Sequence, residues 1–163
     1  MPQLSETETK QAKVLLVKLT IDQVSSHWSG VLLPAIRASL PPTVYDSNAV
    51  DSKLLESALT GKLSCWVAVD DQEIVGVVTT TVTEDECTGV RNLWIYSIYG
   101  FTNIHEDVWV ECLKTVVLYA RSVGCHRVLG YTNAPHVVKW SEKLGARTNS
   151  VLVEFDLHRR DGR

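Results

Sequence analysis

Apolar residues recur along the chain at two different spacings, and these spacings predict a mixture of strands and helices. Short apolar runs rich in β-branched residues predict strands. Apolar residues three and four positions apart predict helices with one buried face. In chain order, the predicted elements are strand Lys13–Thr20, a helix from Ile21 to Ile36, helix Asn48–Leu59, strands Ser64–Asp70, Glu73–Thr83 and Val90–Tyr99, helix Glu106–Val123, strand His126–Thr132, helix Pro135–Leu144 and strand Ser150–Leu157.

This order, β-α-α-β-β-β-α-β-α-β, predicts an α/β fold built on a mixed sheet. The three consecutive strands are joined by short turns, so they should be antiparallel. The run Val90–Tyr99 is apolar on both faces, as in a strand that is covered on both sides. A helix joins it to His126–Thr132, which predicts a parallel, right-handed pair. We therefore expect a mostly antiparallel sheet with one parallel pair at a cleft and helices on both faces.

Single residues indicate where these elements begin, bend and end. Thr20 or Asp22 is predicted to cap the first helix. Pro34 should kink or split that helix, because proline lacks the N–H that the helix needs. Asp71 and Gln72 form a tight polar connection between two strands, as in a hairpin. Glycines follow the other three helices as stop signals: Gly61, Gly124 and Gly145.

The composition is that of an ordinary soluble globular protein. With 163 residues, 45% of them hydrophobic, we expect one domain at 13–157 between a polar arm at 1–12 and a basic tail at 158–163. The formal net charge of −3 gives no global attraction to nucleic acid, so we expect no such partner. No apolar run is long enough for a membrane span, and we expect no secretory signal at the N-terminus. Four cysteines without a C-x-x-C pair fit a reducing compartment.

Two stretches carry a resemblance to a known family. Trp66–Val78, W-V-A-V-D-D-Q-E-I-V-G-V-V, and Asn133–Ala146, N-A-P-H-V-V-K-W-S-E-K-L-G-A, resemble the central hairpin and the fourth-helix signature of the GNAT superfamily of acyl-coenzyme-A-dependent N-acyltransferases. With the order of elements, the resemblance covers Lys13 to Leu157. It implies a GNAT-like fold, acetyl-CoA as cofactor, and a cleft between the strands that end at Tyr99 and Thr132.

The segment that should hold the coenzyme A pyrophosphate departs from the family pattern. Active members read R/Q-x-x-G-x-G/A there, and this chain reads Y-G-F-T-N-I-H-E-D-V-W with only Gly100 retained. Glu106 and Asp107 in the first turn of the helix would repel a phosphate. Asn103 and Glu106 have the spacing of a capping box, which predicts a closed site. If the cofactor binds, the resemblance points to these residues: Tyr99, Gly100, Phe101, Thr102, Asn103, Ile104 and Asn133.

Candidate catalytic groups are weak. The resemblance places Ser141 where the family often has a tyrosine that protonates the departing thiolate, and serine is a far poorer acid. Tyr99 and Tyr131 could act instead, although strand tyrosines more often pack in a core or groove. His105 could act as a base, but a solvated cap of the helix is the better interpretation. No spacing typical of a metal site occurs.

Two functions of different classes follow. The first is an interaction or assembly module with a degenerate acyl-CoA site, working with protein partners or as a homo-oligomer. The alternative is an acetyl-CoA-dependent N-acetyltransferase with an atypical pyrophosphate loop. The motifs E-D-V-W and G-C-H-R-V also resemble short GNAT-like proteins of tailed bacteriophages. That looser resemblance implies a place in a virion or in the cytoplasm of a host cell.

Overall fold

The computed structural model describes residues 13–40, 47–132, 134–148, 150, 151, 153 and 155. Its elements are β1 (Leu15–Lys18), α1 (Ile21–His27), a π-helical segment (Trp28–Leu32), α2 (Leu33–Ser39), α3 (Ser47–Leu59), β2 (Leu63–Asp70), β3 (Glu73–Glu84), β4 (Arg91–Gly100), α4 (Glu106–Ser122), β5 (Arg127–Gly130) and α5 (Pro135–Lys143). The predicted arm at 1–12, the tail at 158–163 and the candidate Asn133 lie outside the described residues.

The described strands form one sheet in the order β1-β2-β3-β4-β5. Neighbours are antiparallel from β1 to β4, and β4 and β5 are parallel. The mixed sheet with a single parallel pair is therefore confirmed. The hairpin between β2 and β3 is also confirmed, since Asp71 and Gln72 have φ values of 44° and 71°, the left-handed pair that a tight hairpin requires.

The first predicted helix is divided as the proline suggests. Thr20 caps α1 in a reciprocal capping box with Gln23, which satisfies two otherwise unpaired backbone N–H groups. Pro34 lies in the first turn of α2, where its missing N–H costs nothing. The wider π-helical turn joins the two helices, and the N–H of Leu33 bonds to the carbonyl of Trp28.

The sheet is covered on both faces by separate apolar layers. The α1–α3 layer packs on one face through residues that include Leu32, Ile36 and Val77. The α4 layer packs on the other face through residues that include Trp66, Trp109 and Val116. Both layers are well buried, so the expected placement of helices on both faces is confirmed.

Two predicted strands differ from the structure at the C-terminal side. β5 ends at Gly130, two residues before the predicted Thr132. Of the predicted strand Ser150–Leu157, the described residues 150, 151, 153 and 155 have no strand pairing, and its other residues lie outside the described part. No helix among the described residues is long and apolar enough to cross a membrane.

Candidate functional site

The candidate site is a cleft that opens where β4 and β5 part. The two strands pair from Asn92 with Arg127 to Ile95 with Gly130. Beyond that point β4 continues to Gly100, whereas β5 has ended. The second half of β4 therefore has no neighbouring strand on this side among the described residues.

A β-bulge at Tyr96 marks the start of the cleft. Ser97 pairs with Thr79, but Ile95 pairs with Thr80, so Tyr96 has no partner residue on β3. Its side chain is 42% exposed. A bulge of this kind redirects a strand and its side chains, and bulges are frequent next to binding sites.

The backbone beyond the bulge directs donors and acceptors to the side away from β3. The N–H of Phe101 donates to the carbonyl of Val75 on β3 at 2.9 Å. Because alternate residues of a strand direct their N–H and C=O groups to opposite sides, Ile98 and Gly100 direct theirs away from β3 and into the cleft. These groups can pair with a chain of amide groups laid along β4.

The N-terminus of α4 follows the end of β4 after a short loop and is capped by His105. Its Nδ1 accepts a hydrogen bond from the backbone N–H of Asp107 at 3.2 Å. The predicted capping box of Asn103 with Glu106 is wrong, because Glu106 is the first residue of the helix and the cap position is 105. The interpretation of His105 as a cap is confirmed.

A lysine that lies far away in sequence reaches this helix end. Lys143 in the last turn of α5 forms an ion pair with Glu106. The hydrogen bond and charge of Lys143 lower the pKa of the Glu106 carboxyl, and donating this hydrogen bond to Glu106 raises the pKa of the Lys143 ammonium. The cation is thus neutralised by a carboxylate of the helix it approaches. The sequence did not predict a role for Lys143, because only basic residues close to the loop in sequence suggest a phosphate site.

An open cavity of about 400 Å³ lies beside this ion pair. It is lined by Asn103, Ile104, His105, Glu106, His136 and Trp140. His136 contacts the edge of the Trp140 ring, with centroids 5.0 Å apart. The cavity therefore combines an aromatic wall with a rim of titratable groups. The described residues contain no group of three side chains able to hold a metal ion.

Gly100 is favoured by packing, which offers a reason for this glycine other than phosphate binding. A Cβ at this position would lie 3.1 Å from the carbonyl oxygen of Thr102 and 3.4 Å from the ring of Trp109. A Cβ at Gly76 on β3 would also lie 3.1 Å from the Trp109 ring. The two glycines make room for the indole in the first turns of α4.

The candidate catalytic side chains do not converge. The Ser141 hydroxyl donates to the carbonyl of Val137 at 2.9 Å within α5. Tyr99 packs with the α1–α3 layer, whereas α5 contacts α4 on the opposite face. Tyr131 is 66% exposed, with its ring 4.9 Å from that of Trp94.

The remaining loop candidates have packing roles or face solvent. Phe101 contacts the edge of Tyr99, with centroids 5.3 Å apart. Ile104 packs against the α4 layer, and Thr102 is exposed. None of these three side chains is positioned by a charged neighbour that would direct it toward a phosphate.

Comparisons with known proteins identify the fold. No protein-family model matches the chain, and no curated protein matches it in sequence. Among solved structures, a probable acetyltransferase is 14% identical, with a TM-score of 0.68 over 91% of this chain and 99% of that one. A predicted acetyltransferase with acetyl-CoA from Clostridium acetobutylicum is 15% identical, with a TM-score of 0.68 over 92% and 100%.

An aminoglycoside acetyltransferase from an uncultured soil metagenomic sample is 16% identical, with a TM-score of 0.66 over 90% of this chain and 97% of that one. Likeness at this level of identity carries the fold and not the activity. Together with the mixed five-stranded sheet and its cleft, it shows that this chain has the fold of the GNAT acetyltransferases.

Proposed function

We propose that this chain is a GNAT-fold protein with a degenerate acyl-CoA site, and that it serves as an interaction module. Its partner would be an extended protein segment bound in the cleft between β4 and β5. The observation that carries the proposal is the N-terminus of α4, where His105 occupies the Asp107 N–H and Glu106 neutralises Lys143.

A pyrophosphate bound at this helix end would meet an unfavourable field. Glu106 and Asp107 lie in the first turn, and each carboxylate would repel the phosphates at close range. The hydrogen bond from Lys143 lowers the pKa of Glu106, which keeps this carboxylate ionised. A helix N-terminus that binds phosphate offers free N–H groups and positive charge, but here His105 occupies the Asp107 N–H and Glu106 pairs with the nearby cation of Lys143.

The cleft suits a peptide strand. Ile98 and Gly100 supply backbone donors and acceptors, and two exposed aromatic residues lie on the same two chain segments, Tyr96 on β4 and Tyr131 directly after β5. Strand addition uses such backbone groups for affinity and neighbouring side chains for specificity. Assembly in a bacteriophage particle, or a role in the cytoplasm of its host, would be one form of this function, and its support is the sequence resemblance alone.

The second candidate is an acetyl-CoA-dependent N-acetyltransferase. It is favoured by the names of the structures that share the fold and by Lys143, which could turn from Glu106 to a phosphate. The acid would have to be Tyr99 or Tyr131, since the Ser141 hydroxyl is bonded within α5.

Isothermal titration with acetyl-CoA and with coenzyme A separates the two candidates. We expect no heat from the wild-type chain at millimolar cofactor. Glu106→Gln should gain weak binding, because it removes a repelling charge and releases Lys143. Glu111→Gln is the matched control, since its carboxylate pairs with Lys114 within α4, and it should remain unable to bind.

Micromolar binding by the wild-type chain would overturn the degenerate site and support the acetyltransferase. A screen of amines for turnover would then follow, with Tyr99→Phe, Tyr131→Phe and Ser141→Ala as variants. Loss of turnover in one tyrosine variant would identify the acid.

The interaction role needs its own test. Mass photometry measures whether the purified chain forms oligomers, and affinity capture identifies other partners. A partner in the cleft should be lost from Tyr96→Ala and Tyr131→Ala and kept by Leu118→Ala, which truncates an exposed apolar side chain on α4. A chain that stays monomeric and captures nothing, or a partner insensitive to both tyrosines, would contradict the proposal.

A further inference from the structure

The cap of α4 depends on the protonation state of one imidazole. Nδ1 of His105 accepts the hydrogen bond from the Asp107 N–H, so this nitrogen must carry a free lone pair and the ring proton must be on Nε2. The same Nδ1 lies 3.5 Å from the Asp107 carboxylate oxygen. This one nitrogen therefore lies next to both a hydrogen-bond donor, the Asp107 N–H, and an acceptor, the Asp107 carboxylate.

Protonation of Nδ1 removes this hydrogen bond. An imidazolium carries a proton on both nitrogens and can only donate, so the Asp107 N–H loses its acceptor and the carboxylate gains a donor. We propose that His105 is a pH-sensitive lock on the first turn of α4. The neutral ring caps the helix, and the charged ring releases the cap and pairs with the Asp107 side chain.

The charges around the ring decide how the lock behaves. On α4, the carboxylates of Glu106 and Asp107 favour the imidazolium. On α5, Lys143 and a protonated His136 oppose it, as does the positive end of the α4 dipole. The His105 side chain is 72% exposed, so water can reach the ring in both states. Acid that protonates the ring therefore operates the lock.

Nuclear magnetic resonance of the full ¹⁵N-labelled chain tests the proposal directly. Long-range ¹H–¹⁵N spectra report which ring nitrogen is protonated, and the exchange protection factor of the Asp107 amide reports the cap. We expect the Nε2–H form in the capped state, and once the ring is protonated the protection factor should fall roughly fivefold, the usual effect of losing a cap.

Two variants make the result specific. His105→Asn keeps an oxygen acceptor that does not titrate, so its Asp107 protection should not change with pH. His136→Asn should keep the pH-dependent loss, with its midpoint moved to higher pH because one opposing charge is removed. A neutral ring protonated on Nδ1, constant Asp107 protection in the wild type, or a pH-dependent loss in His105→Asn would each overturn the lock. Amide shifts of β2, which is remote from the site, verify that the variants are folded.

Discussion

At the residue scale, Gly100 lies where the end of β4 approaches the first turns of α4. Replacing it with alanine places a methyl group against the Thr102 carbonyl and the Trp109 ring. Overpacking of this kind costs about 1–3 kcal/mol, so the urea midpoint of Gly100→Ala should fall.

The matched control is Gly30→Ala in the π-helical segment. Nothing lies within 4 Å of a Cβ at Gly30, and alanine is the better helix former by up to about 1 kcal/mol. We expect an unchanged or slightly higher midpoint. Equal losses in the two variants would show that the close approach to the Thr102 carbonyl does not determine the stability of Gly100→Ala.

Among single residues of the site, some can be predicted from the sequence and others cannot. The position of His105 before a helix was enough to predict a cap. Asn103 and Glu106 have the spacing of a capping box. The cap, however, depends on the residue at which the helix begins, and the spacing alone does not determine that residue. Lys143 lies 37 residues from Glu106, so only the packing of α5 on α4 brings them together.

At the scale of elements, the Glu106–Lys143 pair ties the start of α4 to the end of α5. The lowered pKa of Glu106 means that its ionised form stabilises the fold, and this contribution is lost as the pH falls below the ordinary carboxyl range. We expect the difference in urea midpoint between wild type and Glu106→Gln to be largest near neutral pH and to close in acid.

Glu111→Gln is the control for this pH series. Glu111 pairs with Lys114 in the same helix and joins no two elements, so its effect should be smaller. A difference between wild type and Glu106→Gln that stays constant from neutral to strongly acidic pH would contradict the ion pair as the cause.

Most elements could be predicted to within a few residues, because apolar periodicity follows directly from burial on one face. The π-helical segment Trp28–Leu32 and the bulge at Tyr96 could not. The π-helical segment adds a residue to a helical turn, and the bulge adds a residue to one strand of a pair. The apolar pattern still looks like that of an ordinary helix or strand, so it does not predict either irregularity. The bulge is the feature that shapes the cleft.

At the scale of the whole molecule, each apolar layer contains one buried cysteine. Cys65 lies in the α1–α3 layer and Cys112 in the α4 layer. Burial raises the pKa of each thiol to about 11, so neither should react with a thiol reagent while the fold is closed. Cys87 is exposed and should react at once.

Labelling of the two buried thiols therefore measures whether the layers open together. In a Cys87→Ser, Cys125→Ser background, we expect Cys65 and Cys112 to react with the same free energy of opening, as in a two-state domain. Mass spectrometry of the labelled peptides gives both values from one sample. A much faster reaction at Cys112 would mean that the α4 side opens as a separate unit.

The contact between α4 and α5 also has an optical consequence. The rings of Trp109 and Trp140 are stacked, with centroids 6.3 Å apart and planes inclined by 18°. The electronic transitions of two indoles this close couple, so we expect a paired circular dichroism band that is lost when α5 separates from α4. Because one tryptophan belongs to each helix, this band would measure whether α5 is packed on α4.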